Sequence, residues 1–574
     1  MRALSIAILL ATMFAASAWA DDGGQQRSLA PDGAGGVYVA RLVPFGGSNR
    51  LVLEHFRGDG TRAPGYAVPQ ALDTTGGISG YAIAPDGFGG AVAAFGSPIH
   101  AGVPSGVFAT RASAAVAPTP GWPRDGVLAL DGSLAPTTPG VARDGAGGLF
   151  TTRTDYGANT NDLDINGQRI GSAATIAPGW PDSGVAICAC PGDQFDPVMV
   201  PDELGGAFVA WSDGRAYGTA LGYDIWAQHV NADGSLAWDA LGVPVARDSF
   251  IEDYFPVGTP DGFGGVLVAW LRLSQVSIPE CPADELGLQR VNSAGTRVTG
   301  WPERGVALGH MVSGPLAGPI ADGAGGAWVF ASVLEQCSMT SPAPRAARLF
   351  HVASDGHMAP GFTEQGKVLS TDTRGGPLAT ALVADAPLSG GAVHGVIAVW
   401  ATETAATSRP VRAMRILPSG VSAPEWPSDG AVVVDHASET VGAITDGAGG
   451  ALVVWIDSDE VTRVTRVTRD GVVRPDWPGA PFSTVVSAAR PYPSSGAVTI
   501  PLALPRVGPL EARVLDLQGR LVRKLANVAQ FSAGQHDLTW DGRDDDGRDV
   551  TNGLYFVSVR WNNTTHGVRV AIVR

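Results

Sequence analysis

The chain has 574 residues, of which 16% are charged, 77 are glycine and 42 are proline, and its formal net charge is −16. That acidity argues against a nucleic-acid partner, because phosphate neutralisation needs Lys and Arg in excess on one face. Scarce charge with plentiful glycine and proline predicts many short strands joined by tight turns, not long helices.

The N-terminus reads "MRALSIAILLATMFAASAWADDGG". Arg2, the apolar run from Ala3 to Ala16 and the small-residue site Ala18-Trp19-Ala20 predict a secretory signal peptide over 1–20. No later stretch is apolar for long enough to span a bilayer, so the mature chain is expected to have no transmembrane segment.

From residue 21 to 486 the sequence repeats. "APDGAGGVYVA" starts at Ala30, "APDGFGGAVAAF" at Ala84, "ARDGAGGLFTT" at Ala142 and "VPDELGGAFVAW" at Val200. "TPDGFGGVLVAW" starts at Thr259, "IADGAGGAWVF" at Ile320, a longer variant at Val383 and "ITDGAGGALVVW" at Ile444. The turn aspartates are Asp32, Asp86, Asp144, Asp202, Asp261, Asp322, Asp385 and Asp446, spaced from 54 residues (Asp32 to Asp86) to 63 (Asp322 to Asp385). A second signature follows each copy, as in "PGWPRDGVLAL", "PGWPDSGVAIC" and "TGWPERGVALG".

Repeats of this length built from short strands predict a β-propeller of eight blades, or seven if the terminal repeats merge. In the fifth copy, Val266, Val268 and Trp270 alternate with Leu267 and Ala269, so both faces of that strand are apolar and buried. A phosphate loop passes from strand into helix, and a calcium loop needs several oxygen ligands. Here the glycines lead into a strand with one side-chain carboxylate, so the stretch is a structural turn.

Four cysteines in an exported chain predict disulfides, with three connectivities open. Cys281 and Cys337 occupy corresponding loops of adjacent repeats, which favours a bridge between them. A bond within "ICAC", Cys188 to Cys190, closes a very small ring, and a metal site is the alternative for that pair.

The longest loops carry Tyr156, then Asp213, Arg215, Tyr217, Asp224 and Trp226. Aromatics beside carboxylates and an arginine suit a glycan or protein ligand. The competing reading is an Asp213–Arg215 turn contact with Trp226 in the sheet. There is no Gly-x-Ser-x-Gly elbow and no His-Glu-x-x-His, and no cofactor is expected. The functional expectation is a non-enzymatic binding protein. The rival is a glycan-cleaving enzyme of sialidase-like architecture, and a structural spacer is a third possibility.

After Val486 the pattern stops. Residues 487–497 read as a linker, and 498–574 alternate as a small Ig-like β-sandwich of seven or so strands, with Val498 and Ile500 preceding one turn and Ala512, Val514 and Leu517 preceding Gly519. "VLDLQGRLVRKL" and "GQHDLTWDGRDDDGRDVTNGLYFVSV" resemble the FlgD-like immunoglobulin domain, and equally the C-terminal sorting domain of type IX secretion substrates. The resemblance rests on Gly519, Trp540, Asp541, Gly542, Gly547, Gly553 and Tyr555. It implies export across a Gram-negative outer membrane, the secretion machinery as partner, and a secreted or cell-surface location. The repeats likewise resemble propeller-like repeats of exported bacterial proteins of unknown role. The turn "WDGRDDDGRD" offers carboxylates for calcium or a solvated hairpin tip.

Overall fold

The computed structural model describes residues 28–574 except 46–47, 75, 98–104, 133–137, 157–161, 216–221, 248–250, 275–283, 310–311, 336–344, 373–376, 386–394, 403–408, 475–484, 487–488, 490–492, 505–507, 532–533 and 562–563. The segment expected to be a signal peptide and both Cys281 and Cys337 lie outside the described residues. Among the described residues there is no α-helix, and hence none long and apolar enough to cross a membrane.

Eight four-stranded antiparallel sheets run in succession from Leu29 to Arg474, each with its strands in chain order. The fifth is typical: Ile251–Pro260, Val266–Ser274, Glu285–Val291 and Val306–Leu308. Its second strand is buried on both faces, as the double apolar pattern requires, with Val266 through Trp270 no more than 1% exposed. Trp211, Trp400, Phe95 and Phe330 are equally buried at or near the corresponding place. Burying each such side chain is worth about 1.5–3 kcal/mol.

First strands of consecutive sheets lie side by side, from Leu29–Pro31 through Gly80–Pro85, Val141–Arg143, Gln194–Pro201, Ile251–Pro260, Val312–Ala321 and Pro377–Ala384 to Glu439–Thr445. The last of these also packs against the first. The core is therefore distributed: Leu267, Ala269 and Leu288 meet Ala327, Val329 and Phe350 between the fifth and sixth sheets. Leu29, Val37, Val39 and Phe56 meet Leu452 and Val454 between the first and eighth. The Thr462 hydroxyl also donates to the buried Glu54 carboxylate across that junction. A cavity of about 180 Å³ is lined by first-strand residues such as Ala82, Ala84, Val141, Val198 and Gly258, together with Gly140 just before its strand.

Two further sheets complete the chain: Val485–Val486, Val498–Leu504 and Gly534–Trp540 in one, and Leu521–Phe531, Gly508–Leu515, Gly553–Trp561 and Thr564–Ile572 in the other. Val498, Ile500, Ala512, Val514, Trp540, Val557 and Val570 form their common core. Two sequence expectations change here. Val485 and Val486, expected to end the repeats, pair with Ala503 and Leu502 instead. Leu517, expected in the alternating run before Gly519, sits in the turn closed by Gly519 N–H to the Asp516 carbonyl and is 61% exposed. The linker is also partly built in, since Ser494 exchanges backbone hydrogen bonds with Ala571 and Val573.

Candidate functional site

The eight aspartates are the most regular polar feature of the repeats. Asp261 Oδ1 accepts the amides of Phe263 and Gly265 at 2.7 and 2.8 Å, and Oδ2 takes Arg290 Nε at 2.8 Å. Gly265 is required here: a Cβ would stand 2.2 Å from the Val291 carbonyl oxygen and 2.9 Å from Asp261 Oδ2. The same bracket recurs with Asp32–His55, Asp86–Arg111, Asp144–Arg169, Asp202–His229, Asp322–His351 and Asp446–Arg466, and Asp385 takes Arg415 on Oδ2 in the same way. In seven of the eight, one carboxylate oxygen takes two turn amides and the other a basic side chain, which suits a structural turn.

The third-strand basic partner was missed from sequence. Its signal was a basic residue shortly before a second glycine hairpin, as in "LQRVNSAG" and "AQHVNADG". At the same end of the strands, the tryptophans of the second signature bridge to the next sheet, and Arg169 and Trp180 donate to one carbonyl, that of Ala232. Trp180, Trp238, Trp301 and Trp426 donate their indole N–H to the carbonyls of Ala232, Ser293, Ser354 and Arg469 at 2.9–3.0 Å.

The long loops leave from the other end of each second strand. Of the residues singled out there, Asp213, Arg215, Asp224 and Trp226 come together in the fourth sheet. Asp213 and Asp224 are paired across the hairpin, as are Trp211 and Trp226. Arg215 closes on Asp213 through its amide and Nε, at 2.9 and 2.7 Å to Oδ1, and through Nη2 at 2.7 Å to Oδ2. Its guanidinium lies 3.5 Å above the Trp226 ring centroid. Asp213 also accepts the Trp211 indole N–H and is fully buried, so its carboxylate is satisfied at the end of the strand. Tyr217 lies outside the described residues. Tyr156 ends a strand of the third sheet opposite Leu163, and its side chain is outside the description.

Beside that group, two first strands bulge at equivalent positions. The register slips between Phe195 and Val198 in one and between Tyr254 and Val257 in the next. Each bulge holds a non-glycine residue at positive φ, Asp196 at 53° and Phe255 at 55°. For a phenylalanine this conformation is uncommon and strained. Around them, Phe195, Tyr223 and Tyr254 form an aromatic cluster with ring centroids 5.0–6.0 Å apart, and Phe255 lies 6.0 Å from Tyr254. Tyr223 and Tyr254 are buried, whereas Phe255 is 47% exposed. The Tyr254 hydroxyl donates to Glu252 at 2.8 Å, and Asp253 pairs with Arg272 at 3.3 Å. The motifs "FDP" and "YFP", each ending five residues before a turn aspartate, were the available signal.

Cys188 and Cys190 are bonded to each other, so the small ring does form. In the C-terminal domain the acidic turn is internally satisfied. Asp544 accepts the amides of Asp546 and Arg548, Asp545 that of Lys524, and Asp549 pairs with Arg543 and Arg574.

Residues 494–565 match the FlgD Ig-like domain. Over 117 residues, 20% of its length, the chain is 28% identical to the basal-body rod modification protein FlgD of Salmonella typhimurium. It spans 47% of that relative, about half the length. Among solved structures, PorZ, a surface component of the type IX secretion system of Porphyromonas gingivalis, aligns over 96% of this chain and 59% of its own. The identity is 14% and the TM-score 0.28. A glycoside hydrolase family 43 arabinoxylan arabinofuranohydrolase from Bacillus subtilis aligns over 76% of this chain and 95% of its own, at 11% identity and a TM-score of 0.26. The C-terminal unit is thus a FlgD-like Ig domain on an all-β chain.

Proposed function

We propose that the protein is an exported, non-enzymatic binding protein of the cell surface or extracellular space. Its eight sheets are the blades of a β-propeller that closes where the eighth meets the first. Its FlgD-like Ig domain serves as the secretion or anchoring module that engages outer-membrane machinery. The observation that carries the binding role is Phe255, an exposed aromatic ring held in a strained conformation on a buried aromatic cluster. Strain of about 1–3 kcal/mol persists where surrounding structure enforces it, and such positions cluster at ligand sites. The flat face of the ring suits a saccharide, with Glu252, three residues earlier on the same strand, as a hydroxyl acceptor.

A hydrolase is the second reading. What favours it is Asp164, directly opposite Asp155 in the third sheet: partial burial pushes its carboxyl up, and the negative charges of Asp162 and Asp155 reinforce the shift. A thermal-shift titration of the full mature chain against polysaccharides tests both. A saturable shift that Phe255→Ala removes supports the binder, released sugar in the same sample supports the hydrolase, and no shift across the panel overturns glycan recognition.

A further inference from the structure

Three groups suited to a soft cation sit together beside Arg215. Cys188 and Cys190 are 1% and 4% exposed, Asp213 is fully buried, and their ligand atoms all lie within 4.8 Å of one another. A positive charge already occupies the spot they share. Arg215 Nη2 stands 3.3 Å from Cys188 Sγ, 3.2 Å from Cys190 Sγ and 2.7 Å from Asp213 Oδ2, and it also donates to the Leu241 carbonyl at 2.9 Å. The pocket is therefore built to stabilise a cation.

We propose that opening the Cys188–Cys190 bond converts this pocket into a binding site for a thiophilic d10 cation, Zn(II) or Cd(II), held by two thiolates and the Asp213 carboxylate in place of Arg215. An external dithiol supplies two electrons and two protons, closes to its own disulfide, and leaves both cysteines as thiols. Metal binding then releases those two protons. The 4.0 Å between Cys188 Sγ and Asp213 Oδ2 is close to what a tetrahedral ion spans with bonds of about 2.3 Å to sulfur and about 2.1 Å to oxygen. The Cα atoms of the cysteines, 5.3 Å apart, let both sulfurs reach one ion once they separate. Arg215 has an exit, since its side chain is 16% exposed and already lies along the Trp226 face. Gly214, next to Arg215, lies against the Tyr223 ring, where a Cβ would stand 2.6 Å from Cε1, so the site adjoins the aromatic cluster.

The test uses the full mature chain carrying Cys281→Ser and Cys337→Ser, so that this pair alone supplies thiols. The protein is reduced with a dithiol, desalted without oxygen and titrated with Cd(II). Expected is one equivalent of ultraviolet thiolate-to-cadmium absorption, absent before reduction and absent after Cys188→Ser. Arg215→Met removes the competing guanidinium and is expected to tighten binding about tenfold, the lower end of what partners around a metal site contribute. No absorption after reduction, or absorption that survives Cys188→Ser, overturns the proposal. So does Arg215→Met binding no tighter than the parent, a comparison that needs no change to the ligands.

Discussion

Trp301 donates its indole N–H to the Ser354 carbonyl 3.0 Å away, reaching from the fifth sheet into a hairpin of the sixth. The same hairpin presses Gly356 against the Trp301 ring, where a Cβ would stand 3.1 Å from Cγ. Trp180, Trp238 and Trp426 do the same with Gly234, Gly295 and Gly471, so the second sequence signature is a clasp between neighbouring sheets. Trp301→Ala is expected to cost about 3–5 kcal/mol, the usual loss for deleting a large buried aromatic. Trp301→Phe keeps most of the packing and should lose only the hydrogen bond, about 1 kcal/mol. Urea midpoints of the two variants check the ratio, and equal losses would mean that packing is not the main contribution.

The two glycine positions of the aspartate turn should respond very differently. Gly262 has φ +78° and open space around it, so Gly262→Ala meets only the left-handed penalty of about 1 kcal/mol. Gly265 has ordinary φ, yet its Cβ would collide with the Val291 carbonyl, which the strand cannot move without breaking its pairing. Gly265→Ala is expected to cost at least about 1–3 kcal/mol through overpacking, and more if the strand pairing is lost. Paired thermal melts decide it, and an Ala at 265 milder than an Ala at 262 would contradict the geometry.

Asp261 and Arg290 form a pair that is nearly dry, with side chains 1% and 10% exposed. Removing one partner strands the other's charge, so Arg290→Met is expected to cost about 3–5 kcal/mol. The double variant Asp261→Asn with Arg290→Met should recover part of that loss. A double-mutant cycle measures it, and strict additivity would show that the two side chains act independently.

Acid should loosen the histidine-bearing turns. Burial opposes ionisation of Asp202, but hydrogen bonds from His229 and the amides of Leu204 and Gly206 outweigh it and hold the carboxyl below its usual range. Asp322 is lowered in the same way by His351, Ala324 and Gly326. A carboxyl depressed in the folded state contributes stability that is fully present above the unfolded value of about 3.9, and that contribution is lost as pH falls through the folded value. Melting temperature should therefore drop below about pH 4. Asp202→Asn should melt lower at neutral pH but show a shallower acid decline, and parallel curves for variant and parent would rule out this linkage.

Much of this fold could be read from spacing. The eight turn aspartates and the doubly apolar strand from Val266 to Trp270 specify four-stranded units, and both are features of consecutive residues. The partners of those aspartates were not legible, because Arg290 lies on the third strand and meets Asp261 only once two hairpins have closed. Leu517 was misassigned because alternation continued by eye into a turn that Asp516 closes through its backbone. Among the site residues, Asp213 and Arg215 are neighbours in sequence and so were found together. Phe195, Tyr223 and Tyr254 come from two sheets and converge only because adjacent first strands bulge at the same level.

Phe255 offers a test of whether that convergence serves binding. Its φ of 55° suits asparagine or glycine far better than a bulky side chain, and the ring is 47% exposed, so its own burial repays little of the strain. If the position were selected for stability alone, a residue tolerant of the left-handed region would serve better. Phe255→Asn is therefore expected to leave the melting temperature unchanged or raise it, by up to about 1 kcal/mol of stability. It should also abolish any saturable shift that the parent shows with a polysaccharide. Tyr254→Phe, which removes only the hydroxyl bonded to Glu252, should retain the aromatic platform and weaken the shift without eliminating it. A marked loss of stability in Phe255→Asn would place the ring among the structural residues of the bulge and remove the main support for a ligand site there.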